Sequence, residues 1–238
     1  MSKLTVYIGF DSNTLGQRKA FEVCKRSIKD YNPDINIEPI LLERLIKDNI
    51  YKRPHDPKQS TDFTYTRFLV PYLNKFKNYA LFCDSDFVFK CDVKELLDFI
   101  SLDSSIACVK HEYKQCNDKI KMDGKTQEWY PRKNWSSLML FNCEDVDCKS
   151  LTPDVINTQT PKFLHRMEWT SDDKISEIPL EYNYLVGYYD KKIKPKAIHF
   201  TDGGPWHEDY QTVDFYKEWI SYLNSDELKQ YKQKLFWK

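Results

Sequence analysis

The 238-residue sequence predicts an α/β fold: one domain in which a central sheet is flanked by helices and a helical tail closes the chain. Three observations carry that expectation. Strand-like and helix-like hydrophobic periods alternate through roughly the first 110 residues. The stretch Asn78-Tyr79-Ala80-Leu81-Phe82-Cys83-Asp84-Ser85-Asp86-Phe87-Val88-Phe89 is apolar on both alternating faces, as in a strand covered from both sides. Hydrophobic residues make up 41% of the chain and aromatics 15%, enough for a single large core.

The elements follow in order. Thr5–Phe10 reads as a strand running into Gly9-Phe10-Asp11-Ser12-Asn13, a loop with helix-start residues. Gly16–Asp30 places Ala20, Phe21, Cys24 and Ile28 at helical spacing, and Asn36–Leu42 is a second strand, closing a right-handed βαβ unit. A polar, Pro-flanked loop covers residues 54–61. Phe63–Phe76 reads as a helix that Pro71 would kink. After the Asp-Ser-Asp strand come a helix at Val93–Ile100 and a strand at Ser105–Lys110, then a polar loop over Lys114–Lys133. Trp135–Asn142 is a strand. His165–Val186 combines a short helix with an extended approach to Asn183, and Ala197–Phe200 is the last core strand. Val213–Lys238 is expected to be one long helix with Phe215, Trp219, Tyr222 and Leu223 on a face. That face suits the domain's own core better than a membrane, to which Trp219, Trp237 and nearby lysines offer a peripheral alternative. No internal repeat, low-complexity tract or linker is visible.

Charge and cysteine usage narrow the class. Thirty-six basic residues balance 36 acidic ones, so the basic excess of a general nucleic-acid binder is absent. The seven cysteines are scattered and odd in number; Cys143 and Cys148 are too widely spaced for a common zinc knuckle. Reduced core thiols in a cytoplasmic protein are the expectation. No signal h-region opens the chain, and no apolar run approaches membrane-spanning length. The oligomeric state is not legible.

Two carboxylates at the end of a buried strand are costly unless a cation or hydrogen bonds compensate them. Asp84 and Asp86 are two residues apart, point the same way in a strand and can share one divalent ion; a polar turn between two strands is the other reading. Ligands of α/β sheets bind beyond the carboxyl ends of strands, where Asp11, Asp84, Asp86 and His199 all fall. Carboxylates plus one neutral imidazole suit Mn²⁺ or Mg²⁺. Arg67 could hold one of these carboxylates or a phosphate with its planar fork. Gly203 and Gly204 allow close backbone approach to phosphate, or simply a tight turn. Asp11 could cap a helix or face a bound ligand. Asp172 and Asp173 are the first candidates for acid–base work, with Glu208 and Asp209 behind them; a charge pair at a helix start is the alternative. Trp135, Trp169, Trp206 and Tyr182 could be ligand-stacking platforms or core.

Five ordered motifs resemble GT-A-type glycosyltransferases that use nucleotide-sugar donors, closest in layout to glycosyltransferase family 8 and to small bacterial and large-DNA-virus transferases. Tyr65-Thr66-Arg67-Phe68 resembles the Tyr-x-Arg segment before the metal strand, and Asp84-Ser85-Asp86 the Asp-x-Asp metal motif. Residues Asn134–Asn142 resemble the strand lining the sugar pocket. Trp169-Thr170-Ser171-Asp172-Asp173 followed by Ile178-Pro179-Leu180-Glu181-Tyr182-Asn183 resembles the catalytic loop before a Leu-Pro-x-x-Tyr-Asn element. His199-Phe200 with Gly203 and Pro205-Trp206 resembles the C-terminal His…Gly…Pro-Trp motif.

The resemblance implies a GT-A (Rossmann-like) mixed sheet, with a nucleotide-binding half over about residues 1–110, an acceptor and catalytic half over about 111–212, and a tail over 213–238. It implies metal-dependent transfer from a nucleotide sugar, with uridine as the base, to a glycan, lipid-linked or protein-linked acceptor. Asp84, Asp86 and His199 would hold the metal; Phe10, Asp11, Tyr65, Arg67, Ser85, Ser136, Gly203 and Gly204 would contact the donor; Asp172 and Asp173 would act in catalysis. One departure is clear: the family's lysine before Pro-Trp is Gly204 here, and the segment is one residue shorter. That lysine grips the leaving diphosphate. Its replacement would come from residues 191–196 or from Arg132 or Lys133, which otherwise are ordinary loop charges. The family also implies retention of configuration. Competing classes are a noncatalytic carbohydrate- or nucleotide-binding protein and a sugar nucleotidyltransferase; the second lacks its Gly-rich phosphate loop after the first strand.

Overall fold

A computed structural model describes residues 3–54, 61–112 and 131–236, with side chains through 233. The loop expected at 54–61 and the polar stretch expected at 114–133 fall mostly outside these residues, as does Trp237.

The strands are β1 (Leu4–Gly9), β2 (Asn36–Ile40), β3 (Tyr79–Asp84), β4 (Phe87–Phe89), β5 (Ile106–Cys108), β6 (Leu138–Asn142), β7 (Ile175–Glu177), β8 (Tyr184–Leu185) and β9 (Ala197–His199). The helices are α1 (Leu15–Tyr31), α2 (Leu42–Lys47), α3 (Val70–Leu73), α4 (Val146–Ser150), α5 (Pro153–Thr158), α6 (Pro161–His165), α7 (Tyr216–Ile220) and α8 (Ser225–Phe236). Six strands form one mixed sheet in the order β2-β1-β3-β6-β5-β7; β4, β9 and β8 form a second, three-stranded sheet. β1 pairs in parallel with β2 and β3, β6 runs antiparallel to both β3 and β5, and β7 is parallel to β5.

The large sheet is covered on both faces, as the apolar strand pattern requires. Along β3, Ala80 and Phe82 pack into one core layer with Phe68, Met139 and Phe141. Leu81 and Cys83 pack into the opposite layer with Ile8, Phe21 and Leu140. A third cluster, Val88, Ile198, Phe200, Trp219 and Tyr231, joins the small sheet to the tail. Among the described residues no helix is long and apolar enough to cross a membrane.

Several elements depart from the sequence pattern. The run through residue 89 is two strands in two sheets, broken at Asp84-Ser85-Asp86. Ser85 N still donates to Gly9 O at 3.0 Å, whereas Asp86 O accepts from Phe200 N at 3.0 Å. Phe63–Phe76 is not a kinked helix. A 3₁₀ turn at Thr66–Leu69 hands over to α3, where Pro71 sits in the first turn and its missing N–H costs no helical bond. Val93–Phe99 is 3₁₀, capped by Asp92 accepting from Lys94 N at 2.7 Å. Residues Trp135–Ser137 also form a 3₁₀ turn, and β6 begins only at Leu138.

The tail is two helices rather than one. Phe215 takes φ 64° before α7. α8 begins on a capping box in which Asn224 Oδ1 accepts from Glu227 N at 2.9 Å and Glu227 Oε2 accepts from Asn224 N at 2.8 Å. Glu227 is also gripped by both Nη atoms of Arg26 on α1, at 2.6 and 3.1 Å, which ties the tail to the N-terminal helix. Helices α5 and α6 went unread in the sequence, although each opens on Thr-Pro. Thr152 and Thr160 cap Val155 N and Phe163 N, and Pro follows at the first helical position.

Candidate functional site

The site forms where the two sheets meet. β3 ends at Asp84, opposite Gly9 of β1. The chain crosses at Ser85-Asp86 and enters β4, whose first residue, Phe87, pairs with His199 of β9. This crossing brings Asp84 from one sheet together with Asp86 and His199 from the other. One donor atom from each lies within 4.8 Å of the rest. Donors at opposite poles of a divalent ion are about 4–5 Å apart, so one ion can span the set.

The electrostatics fit. His199 Nδ1 lies 2.9 Å from Asn183 Oδ1, Asn183 Nδ2 donates to Ser137 Oγ at 2.9 Å, and Ser137 Oγ donates to Asn134 O at 2.7 Å. The carbonyl can only accept, so it fixes the direction of every bond above it. Ser137 receives the amide N–H, Asn183 presents its oxygen, and His199 carries its proton on Nδ1. In the neutral ring the Nε2 lone pair then faces Asp86 Oδ1 at 3.3 Å. Asp86 Oδ1 is buried and accepts no hydrogen bond among the described residues. A lone pair and a carboxylate oxygen held this close call for a cation, and these residues can hold one.

Asp84 is steadied by Arg67, whose Nη1 lies 3.0 Å from Oδ1. The Arg67 side chain is only 7% exposed and has other partners as well: Nε donates to Phe63 O at 3.2 Å and Nη1 to Ser136 O at 2.8 Å. Its guanidinium carbon lies 5.1 Å from the ring centres of both Phe63 and Phe82. Of the two roles open to Arg67, the structure shows the carboxylate-holding one.

Other candidates are placed differently. Ser85 turns its hydroxyl to Gln17 Oε1 of α1 at 2.9 Å. Phe10 is buried and stacked on Phe21 at 4.3 Å. Asp11 does not cap α1 with its side chain; Oδ1 accepts from Asp62 N at 2.7 Å. Tyr65 is buried beneath the Arg53 guanidinium, 4.1 Å from its ring centre. Ser136 is buried, its hydroxyl 3.0 Å from His165 Nδ1. Burial pushes the His165 imidazole down to about 3, with the Arg67 charge adding to the effect. His111, stacked on Tyr189 with Nδ1 2.7 Å from its hydroxyl, is likewise pushed down to about 3 by burial and by His199.

Gly203 and Gly204 lie against aromatic rings. Gly203 has φ +142°, and a Cβ there would meet the Tyr210 ring at 3.0 Å; a Cβ on Gly204 would come within 2.1 Å of Trp206. Trp169, Trp206 and Tyr182 are committed to packing: Trp169 stacks on Phe141, Trp206 contacts Phe200 and Trp219, and Tyr182 donates to Glu95 at 2.7 Å.

Asp172 and Asp173 do not join the cluster. β7 runs the same way as β3, so residues preceding β7 lie beyond the sheet edge opposite the one from which Asp84 projects. Asp172 is exposed and paired with Arg132 Nη2 at 2.5 Å. Asp173 is exposed, and a hydrogen bond from Ser171 holds its carboxyl below the usual range. Glu208 and Asp209 are exposed as well. Several substitutes considered for the missing lysine are already paired: Lys191 with Asp214, Lys196 with Glu95, and Arg132 with Asp172. Sequence reasoning missed Asn183 and Ser137 as the groups that orient the imidazole, although Asn183 closes one of the quoted motifs.

Solved structures share this architecture. The WbbM bifunctional glycosyltransferase superposes with a TM-score of 0.65 at 19% identity, over 98% of this chain and 52% of that one. GlyE of Streptococcus pneumoniae gives 0.61 at 15%, over 98% and 65%. The galactosyltransferase LgtC gives 0.56 at 12%, over 97% and 99%. The chain thus spans about half of WbbM and under two thirds of GlyE. Sheet order, strand-end cluster and superpositions together make this a GT-A fold. No family model matches the sequence. It is 39% identical over 222 residues to Protein CDI of Arabidopsis thaliana, covering 91% of this chain and 84% of that protein. The chain belongs to the family of Protein CDI.

Proposed function

We propose that this protein is a metal-dependent glycosyltransferase that moves a sugar from a nucleoside diphosphate, uridine by resemblance, to a saccharide, lipid-linked or protein-linked acceptor. The observation that carries the reading is the Asp84–Asp86–His199 cluster with its imidazole lone pair aimed inward by Asn183. Asp84, Asp86 and Nε2 of His199 would hold Mn²⁺ or Mg²⁺, with the imidazole favouring manganese. Bound there, such an ion supplies Lewis-acid stabilisation of the charge that grows on a departing diphosphate.

The chain's own residues supply orientation. Arg67 fixes Asp84 against the Ser136 and Phe63 carbonyls, and Asn183 and Ser137 fix the imidazole. Asp172 and Asp173 lie away from the cluster, so transfer need not use them as base. In front-face displacement the acceptor oxygen bonds to the anomeric carbon as the carbon–phosphate oxygen bond breaks, and the acceptor proton passes to the departing phosphate oxygen. That route needs no side-chain base and agrees with the retention implied by the resemblance.

Calorimetric titration with UDP and GDP, with and without Mn²⁺, tests the reading on wild type, Asp86→Asn and His199→Ala. One nucleotide should bind only with metal, and both variants should weaken it at least about tenfold, as expected for loss of one ligand from a three-ligand set. Metal-independent binding, or none at all, contradicts it.

A further inference from the structure

A groove of about 430 Å³ is lined by Pro131, Arg132, Arg166, Met167, Glu168, Thr170 and Asp172. A short ladder connects it to the metal cluster: Arg67 Nη1 donates to Ser136 O, Ser136 Oγ pairs with His165 Nδ1, and Arg166 follows His165 in the chain. Arg166, on the groove wall, is thus linked through His165 and Ser136 to the arginine that holds Asp84.

Its two arginines are in different states. Arg132 is built in: Nη1 donates to Arg166 O at 2.6 Å, its guanidinium lies 5.2 Å over the Trp135 ring, and its side chain is 21% exposed. Its outward Nη2 meets a carboxylate, Asp172, that is itself 82% exposed. The Arg166 guanidinium has no hydrogen bond or ion pair among the described residues. Of the acids on the rim, Glu168 turns to Lys162 at 3.7 Å, leaving Asp172 as the internal occupant of the arginine fork. Backbone geometry marks the same place, with Arg132 and Met167 both at positive φ, 64° and 54°. A non-glycine residue there is uncommon and is kept where the surroundings over-determine it.

Planar guanidinium groups recognise oxyanions by charge-assisted, bidentate bonds. We propose that this groove is an acceptor subsite for an acidic saccharide, with Arg166 and Arg132 gripping its carboxylate or phosphate and Asp172 yielding its place. The assignment rests on the glycosyl-transfer reading for the word acceptor, but the binding itself needs neither metal nor nucleotide.

The test is titration of the full chain with trigalacturonate, glucose 6-phosphate and neutral maltotriose, without nucleotide or metal, read by calorimetry and by the fluorescence change of Trp135 beneath Arg132. An acidic probe should bind at least about tenfold more tightly than maltotriose, the factor of one charge-assisted hydrogen bond. Arg166→Gln should remove that preference. Asp172→Asn, which deletes the internal competitor, should tighten the acidic probe several-fold, a gain that loss of folding cannot imitate. Binding of trigalacturonate alone assigns a carboxylate, and of glucose 6-phosphate alone a phosphate. Equal binding of charged and neutral probes, no binding of either acid, or an unaltered Arg166→Gln overturns the proposal. Because no metal or nucleotide is present, these results stand apart from failure of the UDP and GDP titration.

Discussion

The Nδ1–H of His199 donates to Oδ1 of Asn183 across 2.9 Å, and that bond decides which imidazole nitrogen faces the two aspartates. Asn183 is fully buried, so no water competes for the position. A ligating histidine whose other nitrogen is held this way has both its tautomer and its ring plane set before any ion arrives.

Asn183→Ala should therefore weaken metal-dependent nucleotide binding by about 10- to 100-fold, the usual effect of removing such a partner. Calorimetry on a variant whose melting curve remains cooperative checks this. Wild-type affinity in that variant would show that the imidazole needs no orienting.

Arg67 and Asp84 form a buried pair, 7% and 15% exposed. Removing the cation leaves a carboxylate uncompensated, so Arg67→Met should cost about 3–5 kcal/mol by urea unfolding. Arg67→Lys should recover little of that, because an ammonium cannot reach Asp84, the Phe63 carbonyl and the Ser136 carbonyl together. Full recovery by lysine would reduce the site to a simple charge contact.

Acid should destabilise the fold well before general carboxylate protonation. His165 and His111 titrate near 3 in the folded protein, pushed down by burial from an ordinary 6.5. Depressed folded values mean the unfolded chain takes up protons first. Their contribution is complete above pH 6.5 and is lost as pH falls toward 3. The limiting slope is about 1.4 kcal/mol per pH unit for each histidine, expressed most clearly between about pH 6 and pH 4.5. Urea unfolding across that window should show it, and His165→Gln should remove about one proton's share of the slope. A flat profile in wild type would mean that these imidazoles are not held neutral.

Gly204 stands where the family 8 pattern has a lysine, and the position has no room for a side chain. A Cβ would come within 2.1 Å of Trp206, which is braced by Phe200 and Trp219. Gly204→Ala should cost about 1–3 kcal/mol, as overpacking does, and alter tryptophan emission. Gly204→Lys should be at least as damaging and bring no gain in transfer. Improved turnover in Gly204→Lys would show that the segment still follows the family arrangement.

The parts legible in the sequence are those written in local pattern. Leu4–Gly9, Leu15–Tyr31 and Asn36–Ile40 carry clean periods of 2 and 3.6, and Tyr79–Asp84 its two-sided apolar run. The cluster of Asp84, Asp86 and His199 was legible because each closes or opens an apolar run. What stayed hidden depends on contacts distant in sequence. Nothing local shows that Phe87–Phe89 leaves the large sheet to pair with β9. The strand order that sends Asp172 and Asp173 to the opposite edge is a property of β6 and β5 reversing direction, which no motif records. Pro71 read as a kink because helix starts without a polar cap are hard to place. The split tail was readable at Asn224 and Glu227, three residues apart, but the apolar stripe from Phe215 to Leu223 outweighed it.

The crossing at Ser85 has a mechanical consequence. Asp84 belongs to one sheet, Asp86 and His199 to the other, so an ion shared by all three is a rivet through the seam between them. Ligands that bind only the folded state stabilise it by mass action, in proportion to the logarithm of their concentration. An ion filling this site would therefore do two jobs at once: ready the proposed chemistry and clasp the two sheets in register. The temperature at which the seam opens then becomes a readout of occupancy, with no sugar transferred at all.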